Sequence, residues 1–193
     1  DTPGLTFGPP LDKMGQRVSR QVELHFDGAV VPTAHLLGRE GSGFALAMHT
    51  LDHTRATVAA AAVGVARAAF ELALEHTRAR TQFGQPLIAH QAVGFTLADT
   101  ATRIEASRLL TWQAAWRADR GLPNARASAM AKTFASDAAM AATTDAVQLL
   151  GGYGYCRDYL VEKLMRDAKL LQIYEGTNQI QRLVIARDLQ QNG

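Results

Sequence analysis

The stretch FALAMHTLDHTRATVAAAAVGVARAAFELALEHT, Phe44 to Thr77, decides how the rest of the chain is read. Alanine and leucine dominate it and proline is absent. That composition has high helical propensity and predicts one long helix. Gly84 and Pro86 break the chain beyond it, and a second helix is predicted from His90 to Asp119. Gly121 closes that helix, and Pro123 suits the first turn of a third. The third runs to Leu149, where Gly151-Gly152 stops it. A short helix is predicted over Val161 to Asp167. A last one starts at Thr177, a good capping residue, and runs to Gln190. Long helices on short joints predict an antiparallel four-helix bundle over residues 38–193. Leu109, Trp112, Trp116, Leu149 and Leu150 recur at helical spacing and are expected in its core.

The first 37 residues read differently. Thr2 to Leu11 is rich in proline and glycine. Val22, Leu24 and Phe26 then alternate with Gln21, Glu23, His25 and Asp27, the period-two pattern of a half-buried strand. Asp27-Gly28 and Pro32 mark turns beside it. A lone pair of strands buries too little apolar area to stand by itself. Residues 1–37 are therefore expected to be the tail of a sheet whose other strands are absent, so the chain is mainly α, a bundle preceded by a β remnant.

At 193 residues and 47% hydrophobic, the chain holds enough apolar surface for one sizeable core. Net charge is +2, and Arg17, Arg39, Arg55, Arg78, Arg103, Arg126 and Arg166 are scattered. A nucleic-acid partner would want them on one stripe, so none is expected. A single cysteine, Cys156, excludes an intrachain disulfide and any Cys-x-x-Cys metal or redox pair, which fits a reducing compartment. No metal site is expected. The longest apolar run, Val58 to Ala66, is too short to span a bilayer, and no signal peptide is recognised.

Three stretches interrupt the helices. They are Arg80-Thr81-Gln82-Phe83-Gly84 with His90-Gln91, then Gln148-Leu149-Leu150-Gly151-Gly152-Tyr153-Gly154, then Ile173-Tyr174-Glu175-Gly176-Thr177-Asn178-Gln179-Ile180-Gln181-Arg182. Each lies at a helix end, where unpaired backbone groups can hold a ligand. Glu175 stands out. Ile173 and Tyr174 would partly desolvate its carboxylate, which suits a proton acceptor. Gly176 lets a substrate approach the backbone. Local chemistry alone favours an ordinary acidic residue stabilised at the positive end of a helix, since acids are common there.

In order along the chain, these stretches resemble the acyl-CoA dehydrogenase family, in particular its straight-chain, medium-chain-like members. The resemblance runs from Lys13-Met14-Gly15-Gln16-Arg17 to Ile185-Ala186-Arg187-Asp188. Its most specific part is Glu-Lys-Leu-Met-Arg-Asp-Ala, Glu162 to Ala168, followed by Tyr174-Glu175-Gly176-Thr177. The resemblance implies that residues 1–37 end a middle β domain and residues 38–193 form the C-terminal helical domain. It implies that Glu175 removes the pro-R α proton of an acyl thioester while FAD accepts the β hydride, giving a trans-2-enoyl-CoA. The Glu175 N–H, with a ribityl hydroxyl, would bind the thioester carbonyl in the manner of an oxyanion hole. Arg80, Gln82 and Phe83 match residues that hold FAD, the arginine suiting its pyrophosphate. Gln91, Gln148, Gly151 and Gly152 match further FAD contacts, some made to a neighbouring subunit's cofactor. Thr177 and Gln179 match flavin-side positions.

On the substrate side, Gly176, Asp52 and Arg55 match positions near the base and the CoA portion, with a solvated ion pair on a helix as the less favoured alternative for the last two. Phe44 and Met48 match acyl-pocket positions, with ordinary core packing as the alternative. Arg187 matches a substrate-side arginine. Members that take the base from the long helix have it where Thr54 stands, and a threonine cannot serve. The resemblance further implies a homotetramer (a dimer of dimers), reoxidation by electron-transfer flavoprotein, and a bacterial cytoplasmic or mitochondrial-matrix location, with no membrane partner. Two other readings fit the same scaffold. An acyl-CoA oxidase would make peroxide steadily without an added acceptor, whereas a nitroalkane oxidase is expected to carry Asp at the Glu175 position. A non-catalytic helical interaction module or DNA-binding relative would be free to lose Glu175 or Arg80, and neither is lost.

Overall fold

The computed structural model describes residues 2–192. They form five α-helices: α1 (Gly43–Ala79), α2 (Gln91–Asp119), α3 (Ala125–Leu150), α4 (Leu160–Leu171) and α5 (Asn178–Asn192). The bundle expected from composition is present. Ala69 and Ala73 near the end of α1 pack with Leu97 near the start of α2 and with Ala146 and Leu150 at the end of α3. So α1 and α3 run the same way and α2 runs back between them, as short joints require. α4 and then α5 run back along α3: Val161 and Leu164 pack near Leu150, and Asp188 reaches Arg126 at 3.0 Å. α3 is the hub that touches the other four helices. Its start differs slightly from expectation, at Ala125 rather than Pro123. The Pro123 carbonyl instead accepts bonds from the Arg117 guanidinium at 2.9 and 2.6 Å.

The core is not where large residues pointed. Trp112, Leu109 and Trp116 are 62%, 61% and 51% exposed, so three of the five expected core residues lie on the surface; Leu150 is buried and Leu149 half-buried. The helices meet instead through alanine: Ala59, Ala62 and Ala66 of α1 against Ala131, Ala135 and Ala139 of α3. Small side chains let the backbones approach closely, and bulk is excluded from that seam. Helical periodicity finds a stripe but not which stripe faces inward. Buried hydroxyls are compatible with this because Thr77, Ser107, Thr111 and Thr143 each return a bond to the carbonyl one turn earlier. α1, at 37 residues, is long and apolar enough to cross a bilayer by length and composition, unlike the shorter run Val58 to Ala66. One face of it nonetheless packs against the bundle and carries the buried cation Arg55.

Before the bundle, β1 (Leu5–Phe7) pairs antiparallel with β2 (Leu24–Phe26). The expected strand is found, but not its half-burial: Leu24 and Phe26 are exposed, with no second layer over them among the described residues. The following residues to α1 hold one short 3-10 turn at Thr33–His35. Residues 13–17 are tied to the bundle. A Cβ on Gly15 would stand 2.5 Å from the Arg166 carbonyl, so only glycine fits there. The Gln16 N–H donates to the Asp167 carboxylate, and Arg166 donates to the Met14 carbonyl at 2.7 Å. Burial alone would raise the Asp167 carboxyl, but the Gln16 N–H and the Lys163 ammonium outweigh it and hold it below its usual range.

The alanine seam generates a test. Ala62→Leu forces a larger side chain into a site with no exposed surface and should cost about 1–3 kcal/mol, read as a lower urea midpoint at unchanged slope.

Candidate active site

Glu175 lies in the six-residue joint between α4 and α5. Its backbone sits in the left-handed region at φ 53°, followed by Gly176 at φ 87°. For a residue with a side chain that conformation costs roughly 1–2 kcal/mol, so the surroundings must hold it. They do so through the carbonyls. Gln181 Nε2 donates to the carbonyls of Glu175 and Gly176, both at 3.0 Å. Lys132 Nζ donates to the Gly176 carbonyl at 2.9 Å and to Asn178 Oδ1 at 2.8 Å. The side chain of Glu175 is half-buried and accepts a bond from Thr54 Oγ1 on α1 at 2.7 Å. Among the described residues its backbone N–H donates to no protein acceptor. The site therefore offers a fixed carboxylate beside an unpaired backbone donor.

Behind the loop lies a polar network that sequence reasoning missed. Asn178 Nδ2 donates to Asp137 Oδ1 at 2.7 Å and to Ser136 Oγ at 2.9 Å. Gln172 Nε2 reaches the same Asp137 oxygen at 2.7 Å, and Arg182 holds the other at 3.0 Å. Lys132, Ser136, Asn178 and Gln181 are all buried. Burial pushes the Lys132 ammonium down to about 8; Asp137 and Glu175 pull it up and Arg55 adds to the lowering. Burial also raises the Tyr174 phenol, with the Glu175 carboxylate adding to it. The available signal for this network was Lys132 and Ser136 on the apolar face of α3, where charge is expected only with a dedicated partner. Thr54 cannot serve as a base, and the structure gives it another task as the hydroxyl that orients the carboxylate. Thr177 caps α5 as expected, its Oγ1 accepting from the Ile180 N–H at 3.3 Å.

Other candidates sort by position. Arg55 is buried and pairs with Asp52 at 2.5 Å, and Asn124 donates to the Asp52 carbonyl at 3.3 Å. That corrects the solvated-pair alternative, since Arg55 is buried, and among the described residues its Nε has no partner. Phe44 is 79% and Met48 38% exposed, which excludes core packing within this chain. Gln179 and Arg187 are exposed on α5. Arg80 caps the far end of α1; Gln82 and Phe83 sit on the hairpin of β3 (Thr81–Gln82) and β4 (Gln85–Pro86), and Gln91 opens α2. His90 braces that hairpin, its Nε2 bonded to the Gln82 carbonyl at 3.1 Å. Phe83 is 93% exposed. Gln148, Gly151 and Gly152 lie at the same end of the bundle, where Tyr153 meets His76 of α1 at 6.4 Å between ring centroids. Thr54 and Arg80 are separated along α1 by about 40 Å at ~1.5 Å rise per residue. The structure thus brings Asp52, Arg55, Gly176, Thr177 and Glu175 toward one end and gathers the Arg80 to Gly152 set at the other.

The buried ammonium predicts how stability follows pH. In the folded chain Lys132 loses its proton near pH 8, against an ordinary value of 10.5. Between those values the unfolded chain binds more protons, so folding gains as pH rises. Lys132→Met lacks that titration. The stability of the natural chain relative to Lys132→Met should be flat below pH 7 and improve from pH 8 to 10, measured by urea unfolding. A difference that stays constant would mean the ammonium is not desolvated.

Comparison with known proteins places the chain. Residues 41–190 match the family model described as acyl-CoA dehydrogenase, C-terminal domain. A cyclohexane-1-carbonyl-CoA dehydrogenase of Geobacter metallireducens is 52% identical over 98% of this chain and 50% of its own length. The structure of butyryl-CoA dehydrogenase from Megasphaera elsdenii superposes with a TM-score of 0.96 at 49% identity, over 98% of this chain and 49% of that one. A chain in a structure described as the electron transferring flavoprotein of Acidaminococcus fermentans gives 0.96 at 51% identity, over 97% and 50%. The chain spans about half the length of the curated relatives it matches. It belongs to the acyl-CoA dehydrogenase family, and residues 41–190 are the C-terminal helical domain of that family.

Proposed function

We propose that this chain is the helical half of an FAD-dependent acyl-CoA dehydrogenase, with Glu175 as the base that takes the α proton of the thioester. The observation that carries the reading is the pairing of a fixed carboxylate with a free backbone donor. Thr54 holds the Glu175 carboxylate at 2.7 Å, and the Glu175 N–H has no protein acceptor among the described residues. A thioester carbonyl bound by that N–H gains stabilisation as negative charge develops on its oxygen. The α proton then faces the carboxylate. Asp52 and Arg55, at the same end of α1, suit the CoA portion, with the unpartnered Arg55 Nε as a donor in reserve. Phe44 and Met48, exposed one turn apart, suit the acyl chain, and Arg187 suits a substrate-side position.

The residues at the other end fit a dinucleotide. An arginine at a helix terminus suits a pyrophosphate, and beside it Phe83 presents an almost fully exposed ring. Gln82, Gln91, Gln148, Gly151 and Gly152 complete that set, and Thr177 and Gln179 suit the flavin side near the base. When bound, FAD supplies the acceptor for the β hydrogen. The roughly 40 Å between the two sets exceeds one extended dinucleotide, which supports an oligomer in which the Arg80 set serves another copy's cofactor, as in a homotetramer. Residues 1–37 then end a β domain that covers Leu24 and Phe26. Electron-transfer flavoprotein is the proposed oxidant, with the bacterial cytoplasm as the location.

In the intact flavin-loaded enzyme, Glu175→Gln should retain FAD and acyl-CoA binding while turnover falls by roughly 10²–10⁴. Bleaching of the flavin by a panel of acyl-CoAs without oxygen reads both the activity and the preferred chain length. Near-normal turnover in the variant overturns the assignment of the base, and steady peroxide production from the natural enzyme favours an oxidase.

A further inference from the structure

We infer that Lys132 and Gln181 are positioning residues for the reaction, holding the backbone of Glu175 and Gly176 from behind so that the carboxylate and its N–H face the substrate together. The inference rests on the reading of Glu175 as base. Two successive residues at positive φ, 53° and 87°, turn the carbonyls of Glu175 and Gly176 inward. Both carbonyls are caught by side chains from other elements, Gln181 from α5 and Lys132 from α3. The peptide plane ties these carbonyls to the N–H groups of Gly176 and Thr177, and the Glu175 N–H, in the preceding plane, is then held by the fixed left-handed φ of Glu175 between the two anchored planes and the carboxylate. The amide orientation of Gln181 is dictated too: with O and N exchanged, an oxygen would face two carbonyl oxygens. Gly176 is part of the same lock, since a Cβ there would lie 2.7 Å from Gln181 Nε2.

Neither residue touches the Glu175 carboxylate among the described hydrogen bonds, which is met by Thr54. Their effect on chemistry therefore runs through the loop. The charged groups that face Lys132 are Asp137 on its own helix, Arg55 on α1 and Glu175 on the loop, and Arg182 of α5 neutralises Asp137 from the far side. A neutral lysine still has two N–H groups for its two acceptors, so deprotonation weakens the lock without opening it.

The test uses the intact flavin-loaded enzyme. Both Lys132→Met and Gln181→Met delete the donors, the second at the same side-chain length and the first one atom shorter. Displacing reacting groups by a fraction of an ångström to an ångström costs up to about 100-fold. Each variant should therefore lose about 10- to 100-fold in kcat at a KM changed by less than about threefold. Exchange of the substrate α proton with solvent deuterium should slow in step with kcat. Because both act through the base, adding either to Glu175→Gln should cost little beyond Glu175→Gln alone. Should Lys132→Met fail to load flavin, Gln181→Met carries the same readouts with no charge removed. Unchanged kcat and exchange in Gln181→Met, or a full additional loss on top of Glu175→Gln, overturns the inference. Those outcomes with Glu175→Gln inactive leave the base assignment standing, whereas an active Glu175→Gln removes the base assignment itself.

Discussion

A buried ammonium organises the working end of this bundle. Lys132 has no exposed surface, and two of its three N–H donors are spent, one on the Gly176 carbonyl in the joint between α4 and α5 and one on the side-chain oxygen of Asn178, which opens α5. A charge withdrawn from water is tolerated only with close partners. Here the partners are parts of the loop that must not move. The desolvation cost of Lys132 and the left-handed strain at Glu175 are thus met by the same hydrogen bonds. Removing the lysine would leave the Gly176 carbonyl with Gln181 as its one donor and the Asn178 amide oxygen with Ser136 alone, so the network would lose its charged link.

The alanine seam makes that arrangement possible. With Ala131, Ala135 and Ala139 against α1, α3 comes close enough for Thr54 of α1 and Lys132 of α3 to reach one short loop. Bulkier seam residues would push α1 away and lengthen the Thr54 contact to the carboxylate. Packing and site geometry are therefore one constraint: the small residues that set helix spacing also set the separation between the Glu175 carboxylate and the Thr54 hydroxyl.

Much of the fold was legible because propensity and punctuation agreed. Gly121, Gly151 and the Thr177 cap all stop or start helices where the chain chemistry says they should. The inward face was not legible. Trp112 and Leu109 look like core by size, yet a seam of alanines had already filled the interior. Glu175 stood out through the Tyr174 to Thr177 motif and its place after Glu162 to Ala168, not through its neighbours alone, because acidic residues at helix starts are common. Its supports did not. Thr54 and Lys132 lie 121 and 43 positions upstream in number, and no local pattern announces a pairing made only when three helices converge.

The separation of the two ends of α1 carries the last step. A helix of 37 residues is about 55 Å long at ~1.5 Å per residue, and the chain uses both termini: Asp52, Thr54 and Arg55 near one, Arg80 at the other. No single small ligand spans that length. If both ends serve the same kind of ligand, each copy of the chain must contribute its base end to one ligand and its arginine end to another. Complete sites then exist only between copies. On that proposal, the exposed ring of Phe83 and the exposed tryptophans of α2 are apolar surface available to a second copy. A rigid, uninterrupted α1 is the part that makes such sharing geometrically reliable, because proline is absent from it and its single internal glycine, Gly64, lies away from either end.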